Sequence, residues 1–277
     1  LASILVTGAE GGIGTELVSL LLENGDRVFA AQLSPVQNHP ANDWLHPIHM
    51  DVGDDASVRD GFAEIDRLLA GSPLDAVVHC AAIAPLGPVE VLPLAMFKDV
   101  FNINTMGSLR VIHEAMPRLT GHGGMLILVT SLWGRVAGPM IGAYAASKHA
   151  VEALADSIRR ETRSMDFHVV VVEPGVVRTG MLQGQLVAAR TLAEGLSRSD
   201  SARYGGLYRR YAALVAKSSK TAITARSAAL RIAKILRSPR PRARYRLGQD
   251  AKLVCALARL LPDWAMDHLF QVMLGRP

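Results

Sequence analysis

The sequence predicts an α/β fold: a doubly wound, mostly parallel sheet of about seven strands with helices on both faces. Three observations lead there. Short, continuously apolar runs, such as residues 3–7, 76–80 and 125–129, alternate with segments whose apolar residues recur at helical spacing. A glycine cluster stands directly between the first apolar run and the first helical segment. A chain of 277 residues with 49% hydrophobic content is long enough to bury the two cores that a sheet covered on both faces requires.

Taken in order, residues 3–7 (Ser-Ile-Leu-Val-Thr) have the length and composition of a buried strand. They run into Gly8-Ala-Glu-Gly-Gly-Ile-Gly14, after which Ile13, Leu17, Leu20 and Leu21 mark one helical face. Asn24-Gly25 ends that helix, and residues 27–32 form the second strand. Strand, glycine turn, helix, strand is a βαβ unit with a phosphate-binding turn at the helix N-terminus. Glycine lets the backbone approach a pyrophosphate there, and the unpaired N–H groups supply hydrogen bonds. The architecture is therefore Rossmann-like.

The alternation continues. Residues 45–50 read as the third strand, and Val58, Phe62, Ile65 and Leu69 stripe a helix. Residues 76–80 form the fourth strand, 96–119 a long helix and 125–129 the fifth strand. A helix from Tyr144 to about Ser164 and a strand at 168–172 follow. The stretch 177–220 shows no strand and reads as a helical lid over the strand ends. Thr224 caps a helix striped by Ala225, Ala229, Ile232 and Leu236. Pro239 and Pro241 break it, and residues 242–247 form a seventh, edge strand. The whole of 1–277 reads as one domain, with the lid at about 177–223 and a C-terminal extension at about 249–277.

That extension is amphipathic, with Leu253, Leu257, Leu260, Leu261, Trp264, Leu269 and Phe270. Lys252, Arg259, Asp263 and Asp267 interrupt it too often for a bilayer span. Packing on its own domain or on a partner subunit is the simpler reading, and peripheral contact with a membrane surface is the other. Charge bears on this. Residues 1–180 carry a net −8 and residues 181–277 a net +13, which together make the +5 of the chain. Such a basic C-terminal third is either a solubilising patch or attracts anionic lipid or an anionic substrate tail. Nucleic acid is not expected, because no binding motif accompanies the charge.

Cys80 and Cys255 are far apart and without ligand spacing, so buried thiols in a reducing compartment are expected. The nine histidines contain no HExxH, and His46 and His49 flank a strand-like step, so no metal site is expected. Residues 3–7 already read as a strand, so no leader is expected either. The absence of an initiating methionine points to a trimmed start. The expected location is cytoplasmic, with membrane association as the variant.

Ser131 closes the fifth strand, and Tyr144 and Lys148 follow at helical i,i+4 spacing on one face. An ammonium beside a phenol favours the phenolate and draws its pKa down from about 10. A drop of roughly three units is about 4 kcal/mol, which one desolvated cation and a second positive charge, such as an oxidised nicotinamide, would supply. A phenol tuned in this way exchanges a proton with an alcohol or carbonyl near neutral pH.

These residues together resemble the short-chain dehydrogenase/reductase family over about residues 3–179. Thr7-Gly8-Ala-Glu-Gly11-Gly12-Ile13-Gly14 is similar to its TGxxxGxG cofactor turn, and Asp51-Val52 to the pair beside the adenine. Asn104 with Gly107 is similar to its NxxG motif. Ser131 precedes Tyr144 by 13 residues and Lys148 follows by 4, as in its catalytic set. Pro174-Gly175-Val-Val177-Arg-Thr179 is similar to the PGxVxT segment that holds the nicotinamide carboxamide. The resemblance implies that Tyr144 is the general acid/base and that Ser131 hydrogen-bonds the reacting oxygen. It implies that Lys148 binds the nicotinamide ribose and lowers the tyrosine pKa, while Asn104 positions a water in a proton relay.

Two departures stand out. The family's NNAG segment is here His79-Cys80-Ala81-Ala82, whose backbone still covers a cofactor ribose without the usual asparagine contact. Gly11 also makes the turn fit TGxxGxxG, the pattern of nucleotide-sugar epimerases and dehydratases. That activity and a non-catalytic dinucleotide sensor remain the alternatives to an oxidoreductase. At the cofactor's 2′-hydroxyl end the second strand stops at Gln32, followed by Leu33, with no cation to bind a 2′-phosphate. NAD is therefore preferred over NADP. Residues 244–252 with Leu261-Pro262 and Asp267 are similar to the C-terminal segment of retinol and hydroxysteroid dehydrogenases. This implies a bulky, hydrophobic secondary alcohol (steroid-, retinoid- or aromatic-like) and its ketone or aldehyde, in a pocket lined by Trp133, Met140, Ile141 and Met181. Family members pair through helices equivalent to 96–119 and 144–164, so a homodimer is expected, or a homotetramer.

Overall fold

The computed structural model describes residues 1–34 and 42–274. The chain begins with β1 (Ser3–Thr7), α1 (Gly12–Glu23), β2 (Arg27–Gln32), β3 (Leu45–His49), α2 (Asp55–Leu69) and β4 (Ala76–His79). Next come α3 (Leu94–Val100), α4 (Gly107–Leu119), β5 (Gly124–Val129), α5 (Gly142–Glu161) and β6 (Phe167–Pro174). The last third holds β7 (Val177–Arg178), α6 (Gly180–Glu194), α7 (Arg198–Thr221), β8 (Ile223–Thr224) and α8 (Ala225–Leu236). It ends with β9 (Arg244–Leu247), α9 (Gln249–Leu260) and α10 (Asp263–Leu274).

Seven strands form one sheet in the order β3-β2-β1-β4-β5-β6-β9, and every neighbouring pair is parallel. The central strands can be largely apolar because both faces are covered. Leu5, Val77, Leu126 and Leu128 point to one side, against Phe62 and Ile65 of α2, Val111 of α4 and Val151 of α5. Their neighbours Ile4, Val6, Val78 and Ile127 point to the other, against Leu17 and Leu21 of α1 and Ile232 of α8. Each such side chain contributes about 1.5–3 kcal/mol on burial, so these two layers dominate the stability. The chain leaves β1 towards β2 and β3, and leaves β4 towards β5, β6 and β9. The crevice between the carboxyl ends of β1 and β4 is the switch point where such sheets take ligands.

The structure departs from the sequence reading in three places. The expected helix over 96–119 begins at Leu94 and is interrupted by a π-helical turn, Phe101–Met106, that carries Asn104. The stretch after Val177, read as strandless, opens with β7, which pairs with β8 in a second small parallel sheet. The tail is two helices, and its apolar residues divide. Leu257, Leu261, Leu269 and Phe270 pack on a cluster with Leu132 and Cys255, while Leu253, Leu260 and Trp264 are exposed. The expected cap on α8 is present, with the Thr224 side chain accepting the Ser227 N–H at 3.0 Å. The expected edge strand is β9, beside β6. No helix among the described residues is long and apolar enough to cross a membrane.

Candidate active site

A cavity of about 650 Å³ opens at the carboxyl ends of the strands. At one end lies the turn between β1 and α1. Gly8 adopts φ +64°, and a Cβ there would lie 2.8 Å from the backbone of Ala81. A Cβ on Gly14 would overlap the Gly8 carbonyl, and one on Gly12 would meet the Thr179 side chain at 2.6 Å. The turn can close only with glycine at these positions. Gly11 caps α1 without a side-chain hydrogen bond, so the first N–H groups of the helix face the cavity uncapped. A bare helix N-terminus in a glycine cradle is suited to a phosphate group.

Gln32, Leu33, Asp51 and Val52 line the same end. Gln32 Nε2 donates to the Ser34 carbonyl at 2.6 Å, and Asp51 Oδ1 accepts the Gly53 N–H at 2.8 Å. Both side chains are thereby oriented by their own loops. Cys80, Ala81 and Ala82 follow β4 along the cavity. Burial pushes the Cys80 thiol up to about 12, so it stays protonated and inert. Thr7 does not line the cavity. Its hydroxyl is 2.7 Å from His79 Nδ1, a ring that burial holds neutral by lowering its pKa to about 3.

Asn104 lies behind the cavity wall and is fully buried. Its Oδ1 accepts the Ile83 N–H at 2.8 Å, and its Nδ2 donates to the Ile83 carbonyl at 2.8 Å and to Ser147 Oγ at 3.0 Å. The side chain is thus committed to protein partners. It fastens the loop after β4 to α5, with three of the four hydrogen bonds that an amide can make taken by protein groups.

Ser131, Tyr144 and Lys148 converge on the cavity as their spacing predicts. Ser131 lies two residues beyond the end of β5, still in extended conformation, with its Oγ accepting the Trp133 N–H. Tyr144 and Lys148 stand one turn apart on α5, the ammonium 5.8 Å from the phenol ring centroid. Lys148 Nζ donates to the Val129 carbonyl at 3.1 Å. The expectation of a lowered phenol pKa counts Lys148 and an oxidised nicotinamide, and burial acts the other way. Burial raises Tyr144 to about 12, and Ser131 offsets this only in part. The same burial brings Lys148 down to about 8, opposed by Cys80 and by Glu152 one turn further along α5. Glu152 accepts from Thr130 Oγ1 at 2.6 Å and from Arg244 Nη2 at 2.9 Å, tying the end of β5 to α5 and β9.

Pro174, Gly175, Val177 and Thr179 line the opposite side, together with Trp133 and Met181. Met140 and Ile141 do not. They are buried among Leu86, Tyr208 and Tyr211, beneath the wall they were expected to form. Met140 takes φ +75°, and its carbonyl accepts the Gly87 N–H at 2.8 Å, which turns this loop inward. The sequence reading missed the wall supplied by the lid helices. Leu182 and Gln185 come from α6, and Tyr211, Leu214, Val215 and Ser218 form one face of α7. Their i, i+3, i+4, i+7 spacing was the available signal. Burial raises the pKa of Tyr211, and the nearby Tyr144 phenol adds to it. Two neutral phenols therefore face the same cavity. Residues 244–252, read as a substrate signal, contribute nothing to its lining.

Comparison with known proteins gives a consistent picture. A family model described as short chain dehydrogenase matches residues 2–188. The chain is 30% identical to a probable short-chain type dehydrogenase/reductase, VdlC, of Helicobacter pylori, over 98% of each chain. It is 31% identical to human retinol dehydrogenase 5, over 100% of this chain and 90% of that one. An NADPH-dependent 3-dehydrocapnine reductase of Ornithobacterium rhinotracheale is 25% identical over 96% and 95%. Among solved structures, a short chain dehydrogenase from Burkholderia cenocepacia in complex with NADP superposes with a TM-score of 0.74. It covers 100% of this chain and 98% of that one at 20% identity, a likeness of fold.

Proposed function

Because the chain belongs to the short-chain dehydrogenase family, whose members are oxidoreductases, we propose that it interconverts a hydrophobic secondary alcohol and its ketone with a nicotinamide dinucleotide. The observation that carries this is the convergence of Ser131, Tyr144 and Lys148 on one cavity with the glycine cradle. The cradle fits the cofactor. Gly8, Gly11, Gly12, Ile13 and Gly14 would hold its pyrophosphate against the uncapped start of α1, with Gln32, Asp51 and Val52 around the adenosine. Cys80, Ala81, Ala82 and Lys148 would lie along the nicotinamide ribose, and residues 174–179 at the nicotinamide. When bound, the cofactor supplies or accepts the hydride. The chain supplies the rest. Tyr144 passes the proton to or from the reacting oxygen, Ser131 hydrogen-bonds that oxygen, and Lys148 places a positive charge beside the phenol. Asn104 acts through the loop it fastens.

The substrate class follows from the cavity wall. Trp133, Met181, Leu182, Leu214 and Val215 make the substrate end mostly apolar, and Ser131, Gln185, Ser218 and the Tyr144 and Tyr211 hydroxyls are its polar features. Resemblance to a retinol dehydrogenase is in keeping with this reading. The test is consumption of NADH or NADPH, followed by absorbance, with a panel of bulky and small ketones. Turnover confined to small polar ketones, or none with any, would dispose of the proposal.

For the cofactor, NAD is the proposed preference. Glu10 and Leu33 line the cavity beside Gln32, and among the described residues the lining offers a 2′-phosphate no cation there. Leu33 is 55% exposed, so Leu33→Arg has room to present a guanidinium. The variant is expected to bind NADPH about tenfold tighter with little change for NADH, read by fluorescence titration. An unchanged ratio would place the 2′-position elsewhere. Pairing through α4 and α5 into a dimer is proposed from family resemblance and is checked by light scattering. Membrane contact through Leu253, Leu260 and Trp264, exposed near the end of a stretch (residues 181–277) that carries a net +13, is checked by sedimentation with anionic vesicles.

A further inference from the structure

The segment 244–250 contributes no residue to the cavity, yet it reaches the cavity wall through the backbone. Pro174 pairs with Leu247 where β6 meets β9, and the Gly175 N–H donates to the Leu247 carbonyl at 2.8 Å. The chain then turns at Gly248, whose φ of +99° suits glycine and few other residues. The turn swings Asp250, in the first turn of α9, back over the end of β6. Asp250 Oδ2 accepts the Val176 N–H at 2.6 Å. The same carboxylate fills the space that a Cβ on Gly175 would take, so the glycine and the acid require one another. On the other side the Val176 carbonyl accepts the Ile223 N–H at 3.2 Å, just where β8 begins. Both peptide groups of Val176 are held by elements from the last quarter of the chain, while Val176 itself lines the cavity with Pro174, Gly175, Val177 and Thr179.

Resting on the reading that this cavity takes a nicotinamide dinucleotide, we propose that Asp250 is a positioning residue for the nicotinamide end of the cofactor. It fixes residues 174–179 through the Val176 N–H. The similarity of this segment to retinol and hydroxysteroid dehydrogenases is then a mark of how the cofactor wall is braced, and not of which alcohol enters. Asp250 touches neither reactant. It works by keeping a cavity-lining backbone in one conformation, a task for which a charge-assisted hydrogen bond of this length is well suited.

The test compares two ligands on the folded full chain: NADH and ADP-ribose, which lacks the nicotinamide (or NADPH and 2′-phospho-ADP-ribose, if the wild type binds only the phosphorylated cofactor). Asp250→Ala is expected to weaken the dinucleotide about tenfold or more while leaving ADP-ribose within about twofold. Asp250→Asn keeps an acceptor for Val176 and is expected to restore dinucleotide binding to within a few-fold of wild type. Should the alanine variant not fold, Asp250→Ser makes the smaller change, its hydroxyl falling short of Val176, and the same split is expected. Wild-type dinucleotide binding in the Ala or Ser variant overturns the proposal. So does an equal loss of both ligands, which is what an acid serving only the start of α9 would produce. A wild type that binds neither dinucleotide would instead overturn the reading of the cavity itself.

Discussion

Tyr144→Phe is expected to lower kcat by about a thousandfold or more while the dissociation constant for the dinucleotide stays within about twofold. The ring of Tyr144 is buried against Leu86, Met140 and Tyr211, and phenylalanine keeps that packing. What disappears is the hydroxyl that faces the cavity beside Ser131. Tyr211 remains nearby, but burial and the neighbouring phenol hold it still more firmly protonated, so it is a poor replacement as a base. Stability should barely move at pH 7. A phenol raised to about 12 is neutral there in both the folded and unfolded states, and its burial costs stability only above about pH 10. Turnover by the variant within tenfold of wild type would remove Tyr144 from the proton path. A large fall in melting temperature would mean that the hydroxyl serves the fold instead.

The raised phenol also gives the two directions different pH dependences. Ketone reduction needs the neutral phenol as proton donor, the form present at neutral pH, and should be flat there. Alcohol oxidation needs the phenolate, so its rate should climb with pH towards the phenol's pKa, for as long as Lys148 keeps its charge. Initial rates in both directions between pH 6 and about 10 would check this.

The sheet was legible because parallel strands buried on both faces must be continuously apolar, and runs such as residues 125–129 have no other use at that length. The cradle and the Ser131, Tyr144 and Lys148 set were legible because each sits at a strand end or at a fixed helical spacing. What escaped was decided by tertiary placement. Tyr211, Leu214, Val215 and Ser218 form an ordinary helix stripe until α7 is laid over the strand ends. Met140 and Ile141 lie in the right loop, but a positive φ turns the loop inward and buries them. The π-turn around Asn104 leaves no mark in composition. A sequence displays neighbours and not burial, and burial outweighs the Ser131 hydrogen bond in setting the phenol's pKa.

That imbalance leads to the second large effect, on Lys148→Met. The variant is expected to lose most turnover and yet to melt higher than wild type at pH 7. Lys148 is 2% exposed, among the largest fully buried side chains of the molecule. Its pKa falls from the ordinary 10.5 of a lysine to about 8, with desolvation as the leading cause, despite Cys80 and Glu152. Keeping the ammonium charged at pH 7 therefore costs folding about 3 kcal/mol. Methionine has a similar length and needs no solvation. Against this gain stands the hydrogen bond from Nζ to the Val129 carbonyl, about 1 kcal/mol, leaving a net of about 2 kcal/mol and several degrees in melting temperature. The sign follows from proton counts. Below about pH 8 the folded and unfolded chains both hold the proton, and the penalty is constant. Between about 8 and 10.5 the unfolded chain holds a proton that the folded one has released, so wild-type stability rises with pH relative to the variant. The gap in melting temperature should accordingly be widest at or below pH 7 and narrow through pH 9–10, as scanning calorimetry of the two proteins would read it. A variant that melts lower at pH 7, by a margin that pH does not alter, would show that the ammonium serves the fold. The price of the charge would then have been set too high. If the variant instead melts higher and turns over slowly, the buried cation is retained for the reaction at the expense of the fold.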